Sequence, residues 1–198
     1  MFKKISAILL CGGCSARMGR DKGLIEWEGQ PLVVRLAELL QGLFQEVLVV
    51  TGQKPRYRDL LDLPILEDKI KGLGPLGGLY SGLLASANEY NLVAACDMPL
   101  IKPELIALLV GEIDDSWIII PQVRGYWEPL PAVYSKRCLP AIERLIGSGR
   151  PKLQGLCELV PTKTVPEARL REVDPKLESF FNLNVPEDLR CIEPRQGL

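Results

Sequence analysis

The chain has 198 residues, within the usual span of one domain. Hydrophobic residues make up 47% and charged residues 25%, a composition that excludes wholesale disorder. Lys and Arg number 24 against 25 Asp and Glu, for a net charge of -1, and histidine is absent. The charge balance argues against a dedicated nucleic-acid surface. The missing histidine excludes Ser-His-Asp and Cys-His nucleophiles, His-ligated metals and a histidine general base.

Six cysteines in a chain this long do not read as a disulfide scaffold. Lys3 and Lys4 precede an apolar run from Ile5 to Cys11 that imitates a signal peptide. The run is about half the length of a good secretory core, and Leu10 is bulky where cleavage wants small residues. No stretch approaches the ~20 apolar residues of a membrane span. A soluble, cytoplasmic protein with no membrane or nucleic-acid partner is the expectation.

In chain order, Ser6 to Cys11 reads as a buried strand opening into Gly12 and Gly13. Pro31 starts a helix with apolar Leu32, Val33, Leu36, Leu39, Leu40 and Leu43 at helical spacing. Glu46 to Thr51 is a second buried strand, Arg56 to Leu61 a short helix, and Pro64 to Leu66 a third strand. A glycine-rich loop from Gly72 to Gly78 leads into a helix from Leu79 to Glu89. Strand Leu92 to Cys96, helix Pro103 to Val110 and strand Trp117 to Ile120 follow. Pro129 to Tyr134 reads as an added, antiparallel strand, Lys136 to Ile146 as a helix, Val160 to Val165 as extended chain, and Pro186 to Ile192 as a closing helix. This alternation predicts βαβ units and a mainly parallel sheet in one α/β domain.

Ligands of such sheets bind beyond the carboxyl ends of the strands, and the chemically loaded residues fall there. The turn after the first strand, Gly12 to Lys22, holds three glycines whose N–H groups can approach a ligand, with Arg17, Arg20 and Lys22 as cations. That suits a polyphosphate, although the turn is neither a P-loop nor a dinucleotide fingerprint. Asp97, at the end of an apolar run and before Met98-Pro99, is a hard carboxylate suited to magnesium; a turn or cap role is the competing reading. Asp68 is a weaker candidate for a ribose or base contact. The glycines from Gly72 to Gly78 could lie flat against a planar ring. Cys11-Gly-Gly-Cys14 has redox spacing, but Cys11 ends a buried strand, and no further Cys pair or histidine completes a zinc site.

Leu10-Cys-Gly-Gly-x-Ser-x-Arg-Met-Gly-x-Asp-Lys22, the Gly-Pro-Leu-Gly-Gly run from Gly74, Cys96-Asp-Met-Pro99 and Asn182-Leu-Asn-Val-Pro-Glu-Asp-Leu189 together resemble the molybdenum cofactor guanylyltransferases. The resemblance spans nearly the whole chain. It implies a single-domain, three-layer, Rossmann-like nucleotidyltransferase of GT-A type, with an antiparallel strand in a mainly parallel sheet. Residues 1–100 would form the nucleotide-binding part and 101–198 the acceptor-binding part. Leu10, Cys11, Gly12 and Gly13 would lie along GTP, with Lys22 on its phosphates and Asp68 on the nucleoside. Asp97 would hold Mg²⁺ and touch the nucleotide, while Asn182, Asn184 and Arg17 would face molybdopterin. Three positions depart from the family pattern: Cys11 replaces Ala, Thr51 stands where Asn is common, and Val185 replaces Thr.

The implied reaction is transfer of GMP from GTP to molybdenum-loaded molybdopterin, in transient contact with proteins that deliver the pterin or receive the product. A CTP-dependent sister enzyme, a sugar-phosphate nucleotidyltransferase and a non-catalytic cofactor chaperone are the competing readings.

Overall fold

The computed structural model describes residues 1–11, 21–52, 57–70, 72–149, 152–183 and 188. Its strands are β1 (Phe2–Cys11), β2 (Glu26–Trp27), β3 (Gln30–Pro31), β4 (Phe44–Thr51), β5 (Ile65–Glu67), β6 (Tyr90–Ala95), β7 (Ile118–Val123), β8 (Tyr126–Trp127), β9 (Ala132–Ser135) and β10 (Thr162–Val165). Its helices are α1 (Leu32–Leu43), α2 (Pro75–Ala85), α3 (Pro103–Gly111), α4 (Leu139–Gly147), α5 (Leu153–Cys157) and α6 (Glu167–Val173).

One sheet in the order β10-β7-β9-β6-β1-β4-β5 runs through both halves of the chain. β1 pairs in parallel with both β4 and β6, and β4 in parallel with β5. β9, the added strand expected over Pro129 to Tyr134, is inserted antiparallel between β6 and β7. Buried on both faces, β1 alternates its side chains between two cores. Ala7 and Leu9 pack with α1, α3 and α6, whereas Ile8 and Leu10 pack with α2, α4 and α5. The result is three layers, helices on each side of the sheet.

The helix after the glycine run differs from its sequence reading. α2 starts at Pro75, not Leu79, and stops at Ala85. Gly72, at φ +84, and Gly74, at φ +57, keep a backbone that other residues rarely adopt, whereas Gly77 and Gly78 belong to the helix's first turn and are not a loop lying flat against a ring. These glycines let the helix sit close on the sheet. A Cβ at Gly82 would lie 2.7 Å from Ile8 Cγ2, and one at Gly78 would lie 3.1 Å from Leu10 Cδ2. Gly82→Ala is accordingly expected to cost about 1–3 kcal/mol by overpacking, outweighing any gain in helix propensity. A lowered urea midpoint at unchanged slope checks it; an unchanged midpoint refutes the packing argument.

Elsewhere, Tyr57 to Leu61 forms a hydrogen-bonded turn, Leu60 and Leu61 N–H both donating to Tyr57 O, in place of the expected short helix. The β2–β3 hairpin, β8, α5 and α6 had no sequence expectation, being too short for periodicity to register. The closing helix expected over 186–192 lies outside the described residues, apart from Asp188. Among the described residues no helix is long and apolar enough to cross a membrane.

Candidate active site

The strand order places the ends of β5, β4, β1 and β6 side by side, so Asp68, Thr51, Cys11 and Asp97 stand in one row along the carboxyl edge. Lys22 joins this row from the turn that follows β1. Its Nζ lies 2.8 Å from Asp97 Oδ2, with both side chains about one-fifth exposed. No other hydrogen bond of the Asp97 carboxylate is found among the described residues.

Lys22 opens a 3-10 turn, Lys22–Leu24, capped by Asp21, whose Oδ1 accepts Gly23 N–H at 3.1 Å. The same oxygen accepts the hydroxyl of Tyr57 at 2.6 Å. Tyr57 is fully buried, and a Cβ on Gly23 would fall 2.6 Å from its Oη. The turn is thus clamped by a tyrosine from a distant part of the chain, a contact that spacing alone does not announce. Burial, then the Asp21 hydrogen bond, push the Tyr57 hydroxyl far above its usual range, so it stays a donor.

Asp97 lies in the turn after β6, which is stitched to its neighbours by backbone bonds: Cys96 N–H to Leu10 O at 3.0 Å and Leu183 N–H to Asp97 O at 2.8 Å. The second of these brings the late Asn182 motif to the Asp97 turn. Leu183 is fully buried with Trp27 and Leu32, while Asn182 beside it is exposed. The stretch before it is pinned by Asp174, a wholly buried carboxylate that accepts Lys102 Nζ at 2.8 Å and Ser179 N–H at 2.8 Å. Neither Tyr57 nor Asp174 carries a motif signal.

Asp68 Oδ1 accepts Ser81 Oγ–H and Ile70 N–H, each at 3.0 Å, which fixes the carboxylate above Gly77 at the start of α2. Thr51 is buried, with its hydroxyl 3.4 Å from Leu66 O. Leu10 and Cys11 close β1 with buried side chains. Arg17, Gly12, Gly13, Asn184 and Cys14 lie outside the described residues.

Burial, and then the contact with Cys96, raise the Cys11 thiol well above the ordinary cysteine value. A redox cysteine needs the opposite shift. In the native protein at pH 8, Cys11 is expected to resist iodoacetamide and to react only after denaturation, as peptide mass analysis would reveal. Rapid native labelling of Cys11 would return the redox reading to contention.

A mainly parallel α/β sheet binds its ligands beyond the carboxyl ends of its strands, which is where the lysine, the two aspartates and the late asparagine stand. Residues 7–162 match the family model described as MobA-like NTP transferase domain, and the chain belongs to this family of nucleotidyltransferases. It is 35% identical over 195 residues to the probable molybdenum cofactor guanylyltransferase of Natranaerobius thermophilus, covering 96% of this chain and 95% of that one. Its identity to the Methanothermobacter thermautotrophicus protein of the same name is 37% over 196 residues, covering 93% and 97%. The solved structure of molybdopterin-guanine dinucleotide biosynthesis protein A from Archaeoglobus fulgidus superposes with a TM-score of 0.84 at 30% identity, over 95% of this chain and 96% of that one. A Thermus thermophilus 2-C-methyl-D-erythritol 4-phosphate cytidylyltransferase, 17% identical with a TM-score of 0.70 over 94% of this chain and 96% of that one, shares the fold.

Proposed function

We propose that the chain transfers GMP from GTP to the terminal phosphate of molybdenum-loaded molybdopterin, releasing pyrophosphate, in the cytoplasm. The observation that carries this reading is the 2.8 Å Lys22–Asp97 pair on the carboxyl edge, in a chain whose relatives are named molybdenum cofactor guanylyltransferases. Residues 1–100 supply the nucleotide side: the backbone of Leu10, Cys11, Gly12 and Gly13 along the nucleotide, and Asp68 at the nucleoside. Residues 101–198 supply the acceptor side, with Asn182 and Asn184 facing the pterin alongside Arg17 from the first turn.

The attacking group is a phosphate monoester oxygen, already ionised at neutral pH. It forms a bond to the α-phosphorus as the bond from that phosphorus to the α–β bridging oxygen breaks, and the electron pair leaves with pyrophosphate. No general base is needed, which accords with a chain lacking histidine. What the protein must supply is alignment and neutralisation of crowded negative charge. Lys22 does the second directly, held in place by the Asp21 cap and Tyr57.

Asp97 suits Mg²⁺, which binds through one or two carboxylates and otherwise uses water and phosphate oxygens. Among the described residues no cluster of three or more His, Cys, Asp or Glu forms a closed metal cage, and one carboxylate already in contact with Lys22 fits a cation shared with the substrate. When bound there, Mg²⁺ would supply charge neutralisation at the phosphates.

The test is incubation of the purified protein with GTP, Mg²⁺ and molybdenum-loaded molybdopterin, with mass analysis for the guanine dinucleotide and a parallel assay of pyrophosphate. Dinucleotide with GTP and much less with CTP is the expected result. Tight nucleotide binding without any dinucleotide overturns the proposal.

A further inference from the structure

β7 runs out to the carboxyl edge and β8 returns along it, pairing Gln122 with Trp127 and Val123 with Tyr126. Glu128 N–H continues this ladder to Pro121 O at 2.9 Å. Further along, β9 pairs Ile119 with Val133 and Ile118 with Tyr134, so the register has slipped by three residues. Residues after Glu128 therefore form a bulge, a device that re-aims side chains beside functional sites. The bulge is pinned, because the hydroxyl of fully buried Tyr134 donates to Pro129 O at 2.7 Å. It also lies next to the turn of Asp97, since Ala132 pairs with Val93 and β6 then leads on to Asp97.

Glu128 is half-buried on this rigid bulge, between Trp127 and Pro129. Among the described residues its carboxylate has neither an ion pair nor a hydrogen bond. Burial alone pushes its carboxyl above the usual range. Its oxygens still reach water, since they are not among the buried unpartnered atoms of the described residues, so a ligand's donors can take that water's place at a carboxylate already half-stripped of solvent. A carboxylate repels phosphate, so its ligand is a heterocycle; guanine presents the same donor edge as a pterin, but the proposed nucleoside contact is Asp68 at the opposite end of the row, which leaves the acceptor's ring for Glu128. Asp68 stands on the β5 side of the row and Glu128 on the β9 side, with Asp97 between them.

We infer that Glu128 is a specificity-determining residue for the acceptor, its two oxygens accepting the neighbouring ring N–H and amino group of a 2-amino-4-oxopyrimidine edge, the edge a pterin presents. The inference rests on the acceptor reading above. Glu128→Gln replaces one accepting oxygen by an NH₂ group that opposes the ring's own donors. At saturating GTP it is expected to raise the acceptor KM 10-fold or more, leaving the GTP KM within 2-fold, with Glu128→Asp retaining more acceptor affinity than Gln. On the unaltered protein, free pterin should compete with the acceptor at least 10-fold better than lumazine, in which a carbonyl replaces the amino group. An unchanged acceptor KM in the Gln variant, an equal rise in the GTP KM, or equal competition by the two pteridines overturns the inference. Absence of transfer by the wild type overturns the acceptor reading itself, whereas transfer with an unmoved Gln variant overturns only the role of Glu128.

Discussion

Asp97→Ala and Lys22→Ala are each expected to lower GMP transfer by two to four orders of magnitude while leaving the melting temperature within a few degrees of wild type. The two side chains meet at 2.8 Å, but about one-fifth of each is exposed. A pair so close to water contributes only ~1 kcal/mol to stability, because solvent screens it and ordering both chains costs entropy. Its effect on rate is another matter. Removing one preorganised group that faces developing charge typically costs about 10²–10³ in turnover, and losing a metal site along with it costs more. Lys22→Arg keeps the charge but not the compact ammonium, and should recover only part of the rate. The decisive comparison is kcat under saturating GTP and Mg²⁺ beside a thermal melt. A variant that transfers GMP at near wild-type rates would falsify the placement of these residues at the reacting phosphates; a variant that merely unfolds would show the pair to be structural.

Asp174→Ala should produce the largest loss of stability, about 2–3 kcal/mol, because it strands the buried Ser179 N–H and deprives Lys102 of its buried partner. Lys102 keeps Glu178 at 2.9 Å, which holds the cost below that of an isolated buried ion. The pH dependence has a definite sign. Burial by itself raises the Asp174 carboxyl, but hydrogen bonds from Lys102 and Ser179 outweigh it and set the folded value below 3.8. Its contribution is therefore complete well above pH 3.8 and is lost as pH falls below that and through the folded value. Urea midpoints of wild type and Asp174→Asn should differ by a constant amount from pH 7 to about 5 and begin to approach each other as pH falls below about 4. A gap that does not narrow at all as pH falls below 4 would mean that charge is not what this carboxylate contributes. Because the same residue pins the chain leading to Asn182, the Asn variant should also bind the acceptor more weakly than it binds GTP.

The order of strands and long helices could be read from the chain because each is a run of apolar residues at one clear period. Lys22, Asp97 and Asp68 could be singled out as candidates for a different reason: ligands of such sheets bind beyond the carboxyl ends of the strands, and these charges fall there. The start of α2 was hidden, since its glycines look like a loop by propensity while their job is to admit Ile8 and Leu10 beneath the helix. Tyr57 could not be found either, because its contact with Asp21 is made by tertiary folding and leaves no local trace. Glu128 belongs to no motif and carries no signal in the sequence. Only the slip in pairing between β8 and β9 shows that it stands half-dry beside the Asp97 turn.

The hydrogen bond from Leu183 N–H to Asp97 O has a temporal consequence. During synthesis on the ribosome the elements up to β6 can settle first, since chains grow at about 5–20 residues per second and early segments fold as they emerge. The stretch that completes the rim at Asp97 leaves the exit tunnel much later. On the proposed assignment of the two halves, a truncation just before residue 174 should keep nucleotide binding and lose acceptor binding.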